Sequence, residues 1–143
     1  MTMLDPHVHV RHVSHPEVSA VLSALCASVP QVIGALVASC DGFLLACDLP
    51  EGMEPEGLAA LTATELSLAH RVVSTVAEGA FEEVVIRNNA AQVAIYAAGP
   101  RAALSVLARP NASLGRLHLE ARPAAKIIAA RLSTLTARDE RNL

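Results

Sequence analysis

The sequence predicts an α+β (layered α/β) domain in which five antiparallel strands lie between helices. Segments with the period of an amphipathic helix alternate with short apolar runs rich in branched residues, in the order α-β-β-α-β-β-β-α. All but one of the connections between strands are short, and short connections join antiparallel neighbours. We therefore expect two helices, the first and the last, on one face of the sheet and the middle helix on the other.

The composition bounds the size of the core and excludes some classes of function. The chain has 143 residues, a length typical of one domain, and 52% of them are hydrophobic. A net charge of −3 and an aromatic content of 2% argue against a nucleic-acid-binding surface, which needs basic and stacking side chains. No apolar run approaches the roughly 18 residues of a membrane span. We expect a cytoplasmic protein with no membrane span and no nucleic-acid partner.

Three segments are predicted: a flexible leader over residues 1–14, a domain over residues 15–137 and a frayed polar tail over residues 138–143. The leader does not have the pattern of a signal peptide. Its closely spaced imidazoles could supply zinc or nickel ligands, but it contains no cysteine and few carboxylates, so we favour a leader without a metal. These imidazoles belong to His7, His9, His12 and, at the start of the domain, His15.

The first helix is predicted to begin at Pro16, a residue suited to a first turn, and to end near Pro30. Two apolar strands, VIGALVASC and FLLACDL, follow on either side of Asp41-Gly42. This dipeptide favours a two-residue type I′ hairpin, because both residues tolerate positive φ. We interpret Asp41 and Gly42 as structural turn residues rather than as a buried acid or ligand. The three cysteines are predicted to be reduced, packed thiols.

A loop over residues 50–57 leads into the middle helix, LAALTATELSLAHRVVSTVAEG. EEVVIR and AQVAIYAAG are predicted to form a hairpin around Asn88-Asn89, and AALSVLAR follows a turn at Gly99-Pro100. Ser113 is the expected cap of the last helix. The apolar stripe of that helix keeps its phase across Pro123, which predicts one kinked helix.

The middle helix is predicted to carry an interface. Its apolar arc, which includes Leu66, Ala69 and Val73 at its margin, is wider than one sheet face requires. An oversized apolar arc on a small domain usually marks a dimer or partner surface, the alternative being a helix that is merely well buried. The candidate interface residues are Leu58, Leu61, Glu65, Leu68, His70, Arg71, Val72 and Val76.

Glu65 is the one acidic residue inside this arc. A carboxylate buried there without a partner costs several kcal/mol. We expect it to mark a dimer or partner-facing seam, where the opposing helix offers Ser67, His70 or Arg71 or a bound partner offers a cation. The alternative is that the helix is rotated enough for Glu65 to reach solvent.

Two stretches of the sequence resemble the roadblock/dynein light-chain family. The first is the S-x-DG-L-like hairpin at Ser39–Phe43, and the second is the NxxLGxxxLExRxAA-like pattern from Asn111 to Ala125. The resemblance spans about residues 16–137 and implies a profilin/longin-like fold. It also implies a bacterial protein that forms homodimers through sheet edges and middle helices, and that binds small Ras-like GTPases at that surface.

No sequence feature points to an enzyme. The chain has no GxSxG, Walker A, GxGxxG or HExxH string, and its paired glutamates lie where solvated acids are expected. We predict no catalytic residue, no cofactor and no metal. The expected function is a non-enzymatic homodimeric regulator or scaffold for a small Ras-like GTPase. The alternative is a small-molecule sensor module of the same layered fold.

Overall fold

The computed structural model of the chain describes residues 9–12 and 15–142, with side chains over residues 15–142. The helices are α1 (Pro16–Ser28), α2 (Pro55–Val76) and α3 (Leu114–Arg141). The strands are β1 (His9–His12), β2 (Val32–Ser39), β3 (Leu44–Pro50), β4 (Glu83–Arg87), β5 (Gln92–Ala97) and β6 (Ala102–Ala108).

The strands form one sheet in the order β1-β3-β2-β6-β5-β4, and every neighbouring pair is antiparallel. The predicted five-stranded antiparallel arrangement is confirmed in β2 to β6. The sequence did not predict β1, which pairs with β3 inside the segment expected to be a flexible leader. The rest of that leader, including His7, lies outside the described residues.

Helices cover both faces of the sheet, as predicted. Along β2, Ala35 and Val37 face α1 and α3, whereas Leu36 and Ala38 face α2, because successive side chains of a strand point to opposite faces. The core on the α1 and α3 side contains Leu22, Leu104, Leu117 and Ile128, among others. On the α2 side the buried cluster is much smaller. The two faces of the sheet are therefore unequally covered.

Side-chain caps and prolines set the helix boundaries. The Glu54 carboxylate accepts a hydrogen bond from the Gly57 N–H at 2.9 Å, with Pro55 in the first turn of α2. Ser113 Oγ accepts from the Arg116 N–H at 3.3 Å and caps α3, as predicted. A single helix continues through Pro123 and on to Arg141, so it includes part of the segment expected to fray.

The turn between β2 and β3 differs from the prediction. A type I′ turn needs positive φ at both central residues, yet no described residue other than glycine has positive φ. Instead, the Gly42 N–H donates to the Ser39 carbonyl at 2.9 Å, and Gly42 has a φ of 90°. This is a longer, three-residue hairpin loop, a β-turn whose fourth residue is the left-handed Gly42. Asp41 is exposed in this turn.

The cysteines lie in three different environments. Cys47 is buried and Cys26 is half-buried, but Cys40 is exposed in the hairpin turn. The prediction of packed thiols is therefore wrong for Cys40. None of the three cysteines forms a disulfide.

Candidate interaction surface

Helix α2 buries very little of itself against the sheet. Its fully buried residues are Ala59, Thr62 and Ala63, which are small and allow the helix to lie close to the strands. Leu58 and Leu66 are half-buried. Its other large apolar residues are exposed. They are Leu61 (67% exposed), Leu68 (49%), Val72 (69%), Val73 (49%) and Val76 (84%). Each exposed side chain of this kind would gain roughly 1.5–3 kcal/mol if it were fully covered.

The eight candidate interface residues do not all lie in the same environment. Leu61, Leu68, Val72 and Val76 lie on the exposed flank of α2, and Arg71 is also exposed. His70 is exposed on a different side of the helix, where it lines a second groove with Leu66 and Phe81. Leu58 is half-buried and packs on the core beneath α2. It is therefore directed toward the sheet rather than toward solvent.

A groove of about 640 Å³ separates α2 from the segment that leads into β4. Leu68, Val72 and Val73 line its helix side, and Phe81 and Val84 line its other side. Glu65 is half-buried at this groove and has no ion pair within residues 15–142. The carboxylate thus lies beside apolar side chains and remains open to solvent in the isolated chain.

Strand β4 extends this apolar surface along one edge of the sheet. It pairs with β5 alone, so its outer backbone groups face away from the sheet. Val84 lines the groove and Ile86, two residues further along the same strand, is exposed. An unprotected strand edge beside exposed apolar side chains is typical of a surface that pairs with another chain.

A polar cluster anchors the start of β4 to α3. Arg122 donates two hydrogen bonds to Glu83 Oε1, from Nε at 2.9 Å and from Nη2 at 2.6 Å. Tyr96 Oη lies 2.7 Å from His118 Nδ1. The same nitrogen is 3.0 Å from Glu83 Oε2, at ion-pair distance but without hydrogen-bond geometry. The cluster fixes the end of the exposed edge strand against the opposite helix layer.

Two groups in this cluster have displaced pKa values. Burial, reinforced by the negative charge of Glu83, raises the pKa of Tyr96 well above its usual range. The hydrogen bond to Glu83 raises the pKa of Arg122. Tyr96 therefore remains a neutral phenol at physiological pH, and the cluster has the chemistry of a structural anchor.

Sequence reasoning missed this cluster, because it joins the neighbouring strands β4 and β5 to α3, which is distant from them in the sequence. It also did not single out Phe43 as a surface residue. Phe43 is 70% exposed and follows Gly42, which lies so close to α2 that an added Cβ would be 3.4 Å from Ala60 Cα. An exposed aromatic side chain beside α2 is a candidate contact for a partner protein, since aromatic residues are enriched at the centres of interfaces.

Residues 15–142 contain no group of three or more His, Cys, Asp or Glu side chains placed to hold a metal ion. None of the described helices has the length and apolarity needed to cross a bilayer. The His70 ring packs edge to face against Phe81, with ring centroids 6.0 Å apart, and is not part of any candidate metal-binding group within the described residues.

Known proteins share this fold. A structure of MglB with a tetrameric arrangement matches with a TM-score of 0.76 and 22% identity, over 90% of this chain and 96% of that one. The gliding protein MglB from Thermus thermophilus has a TM-score of 0.75 and 21% identity, over 90% and 97%. A Roadblock/LC7 domain from Streptomyces avermitilis has a TM-score of 0.67 and 24% identity, over 82% and 97%. No curated protein sequence matches the chain.

The family model for the Roadblock/LC7 domain matches residues 18–108, from α1 through β6. This segment contains the hairpin motif, α2 and the exposed β4 edge. The chain belongs to the Roadblock/LC7 domain family.

Proposed function

We propose that the protein is a non-enzymatic homodimeric regulator or scaffold that binds a small Ras-like GTPase and modulates its nucleotide cycle. The observation that carries this proposal is the apolar flank of α2 beside the open edge of β4. Two copies related by a two-fold axis can pair their β4 strands and cover the α2 flanks with each other. The GTPase partner is the one that the family resemblance implies.

The surface has the chemistry of a protein interface rather than of a small-molecule site. A ligand pocket is concave and contains a few converging polar groups. The groove beside α2 is open and lined mainly by apolar side chains, with Glu65 at its margin. This groove therefore gives no specific support to the sensor alternative.

Light scattering coupled to size-exclusion chromatography tests the dimer, and a GTP hydrolysis and binding assay with the Ras-like GTPases of the source organism tests the partner. We expect a dimer mass across the micromolar range. A monomer mass at every concentration would contradict the dimer. The absence of both binding and any change in hydrolysis or nucleotide exchange would contradict the regulator.

Phe43→Ser is expected to weaken GTPase binding by roughly tenfold or more, because truncating an aromatic anchor at an interface costs at least about 1–2 kcal/mol. The dimer mass should not change, since the hairpin tip lies away from β4 in the sheet order. Leu119→Ser is the matched control, because Leu119 on α3 is similarly exposed, at 71% against 70%. Equal binding by parent and Phe43→Ser would show that the hairpin tip does not contact the GTPase.

The place of Glu65 in the seam is tested by Glu65→Leu and Glu65→Arg. We expect Glu65→Arg to weaken the dimer, because the introduced guanidinium would then lie near the partner's Arg71 and repel it. Glu65→Leu should make the pairing of the two copies less specific, which light scattering would show as a mixture of dimers and larger species. Glu56→Arg, in the exposed first turn of the same helix, makes the matched charge change. If both Glu65 variants dimerise like the parent, Glu65 is a solvated side chain outside the seam.

A further inference from the structure

Helix α3 differs from the rest of the chain in charge. It carries six of the eleven Lys and Arg residues but three of the fourteen Asp and Glu residues, so its formal charge is +3 in a chain whose net charge is −3. The α2 side is acidic by contrast. Six glutamates and a single arginine lie between residues 51 and 82. The α3 segment and the α2 segment therefore carry formal charges of opposite sign.

The solvent-facing side of α3 combines cations with exposed apolar residues. Arg116 and Lys126 are exposed, and so is Arg122, whose guanidinium is paired with Glu83. Leu119, between Arg116 and Arg122, is 71% exposed, and Ile127, next to Lys126, is 45% exposed. Glu120, the one acidic residue between Arg116 and Arg138, is half-buried. We call this side of the helix the basic face of α3.

Helix α1 continues this surface with small neutral side chains. It packs beside α3, and Arg116 Nη2 donates to the Ser28 carbonyl at 3.3 Å. Its exposed alanines are small and uncharged, and its only charged residue is Glu17. Those alanines are Ala20, Ala24 and Ala27.

We propose that the basic face of α3, with the exposed side of α1, binds peripherally to a bilayer that contains anionic phospholipids. Lys126 and Arg116 lie where they can contact the headgroups, and Leu119 and Ile127 lie where they can enter the interfacial region. Basic residues gain free energy near an anionic leaflet, and exposed leucine side chains among them add apolar burial. The acidic α2 side then faces away from the lipid and remains open to protein partners.

A bilayer fits this face better than an acidic protein does. Neither α1 nor α3 contains Phe, Tyr or Trp, the residues that dominate the centres of protein interfaces. A lipid surface needs no shape-matched pocket. Lys126 also has no ion pair within residues 15–142, so its charge is available.

Sedimentation of the full chain with lipid vesicles tests the proposal. We expect binding to vesicles of phosphatidylcholine with phosphatidylserine, little binding to phosphatidylcholine alone, and loss of binding as salt is raised. Lys126→Glu is expected to weaken binding roughly 30-fold, because it replaces a cation near the headgroups with an anion. Leu119→Ser should weaken it roughly fivefold by removing apolar burial.

Arg101→Glu is the matched control, because it makes the same charge change at an exposed arginine in the turn between β5 and β6. We expect a much smaller loss than for Lys126→Glu. Equal losses in the two variants, equal binding to both vesicle types, or no binding to anionic vesicles at low salt would overturn the proposal.

A protein interface on the same face would give a different result. In that case Lys126→Glu would break a larger assembly in the absence of vesicles, which would also overturn the membrane proposal. Lys126→Glu is expected to keep the dimer mass and the GTPase affinity of the parent. The lipid experiment therefore succeeds or fails independently of the proposed regulator function.

Discussion

Val72→Glu is expected to convert the dimer into a monomer. Val72 is 69% exposed in the isolated chain and lines the groove beside β4, so in the proposed dimer it would be covered by the partner. Burying an unpaired carboxylate there costs about 3 kcal/mol or more, which weakens association at least 100-fold. Light scattering over a dilution series measures the change in dissociation constant.

The folded monomer should tolerate this substitution, since Val72 contributes little to the core beneath α2. Far-UV circular dichroism and the unfolding midpoint measured at concentrations where both proteins are monomeric provide that check. Ala130→Glu adds the same charge at an exposed position on the opposite helix layer and should leave the dimer intact. A dimer of parental affinity in Val72→Glu would place the interface elsewhere.

Ile128→Ala is expected to lower the free energy of unfolding by about 2–5 kcal/mol, the range measured for large-to-small substitutions in cores. Ile128 is fully buried and belongs to the cluster that joins α1, α3 and the sheet. Its removal leaves a cavity among side chains held by a long helix, which cannot easily collapse to fill it. Urea unfolding measures the effect.

The neighbouring residue supplies a control of identical chemistry. Ile127 is 45% exposed on the basic face of α3, so Ile127→Ala should change stability by less than about 1 kcal/mol. An equal loss in the two variants would mean that the rotation of α3 about its axis differs from that described. The slope of unfolding free energy against urea should match the parent in both variants.

The sequence predicted the order and layering of the elements because both follow from periodicity and connection length. Periodicity could not predict how far α2 is rotated about its axis. Leu58 and Leu61 belong to one apolar arc, yet Leu58 packs on the core and Leu61 is exposed. The small side chains of Ala59 and Ala63 determine this rotation, since they allow the closest approach to the sheet.

The hairpin turn shows a second limit of local patterns. Asp-Gly is compatible with more than one loop length, and contacts from elsewhere select among them. The Cys40 N–H donates to the Arg101 carbonyl at 2.8 Å, so it is directed to the neighbouring turn and not to Phe43. Ser39 Oγ accepts from the Phe43 N–H at 3.0 Å and stabilises the longer loop.

Strand β1, which the sequence did not predict, makes the two edges of the sheet differ in their capacity to pair with another chain. At one end, β1 adds four residues, HVRH, across the edge of β3. A very short, charged outer strand is a poor template for a further chain. At the other end, β4 presents five residues beside an uncovered apolar helix. In the proposed dimer, pairing through β4 would occupy the open edge of each copy, so association would end at a closed pair and would not propagate into a fibre.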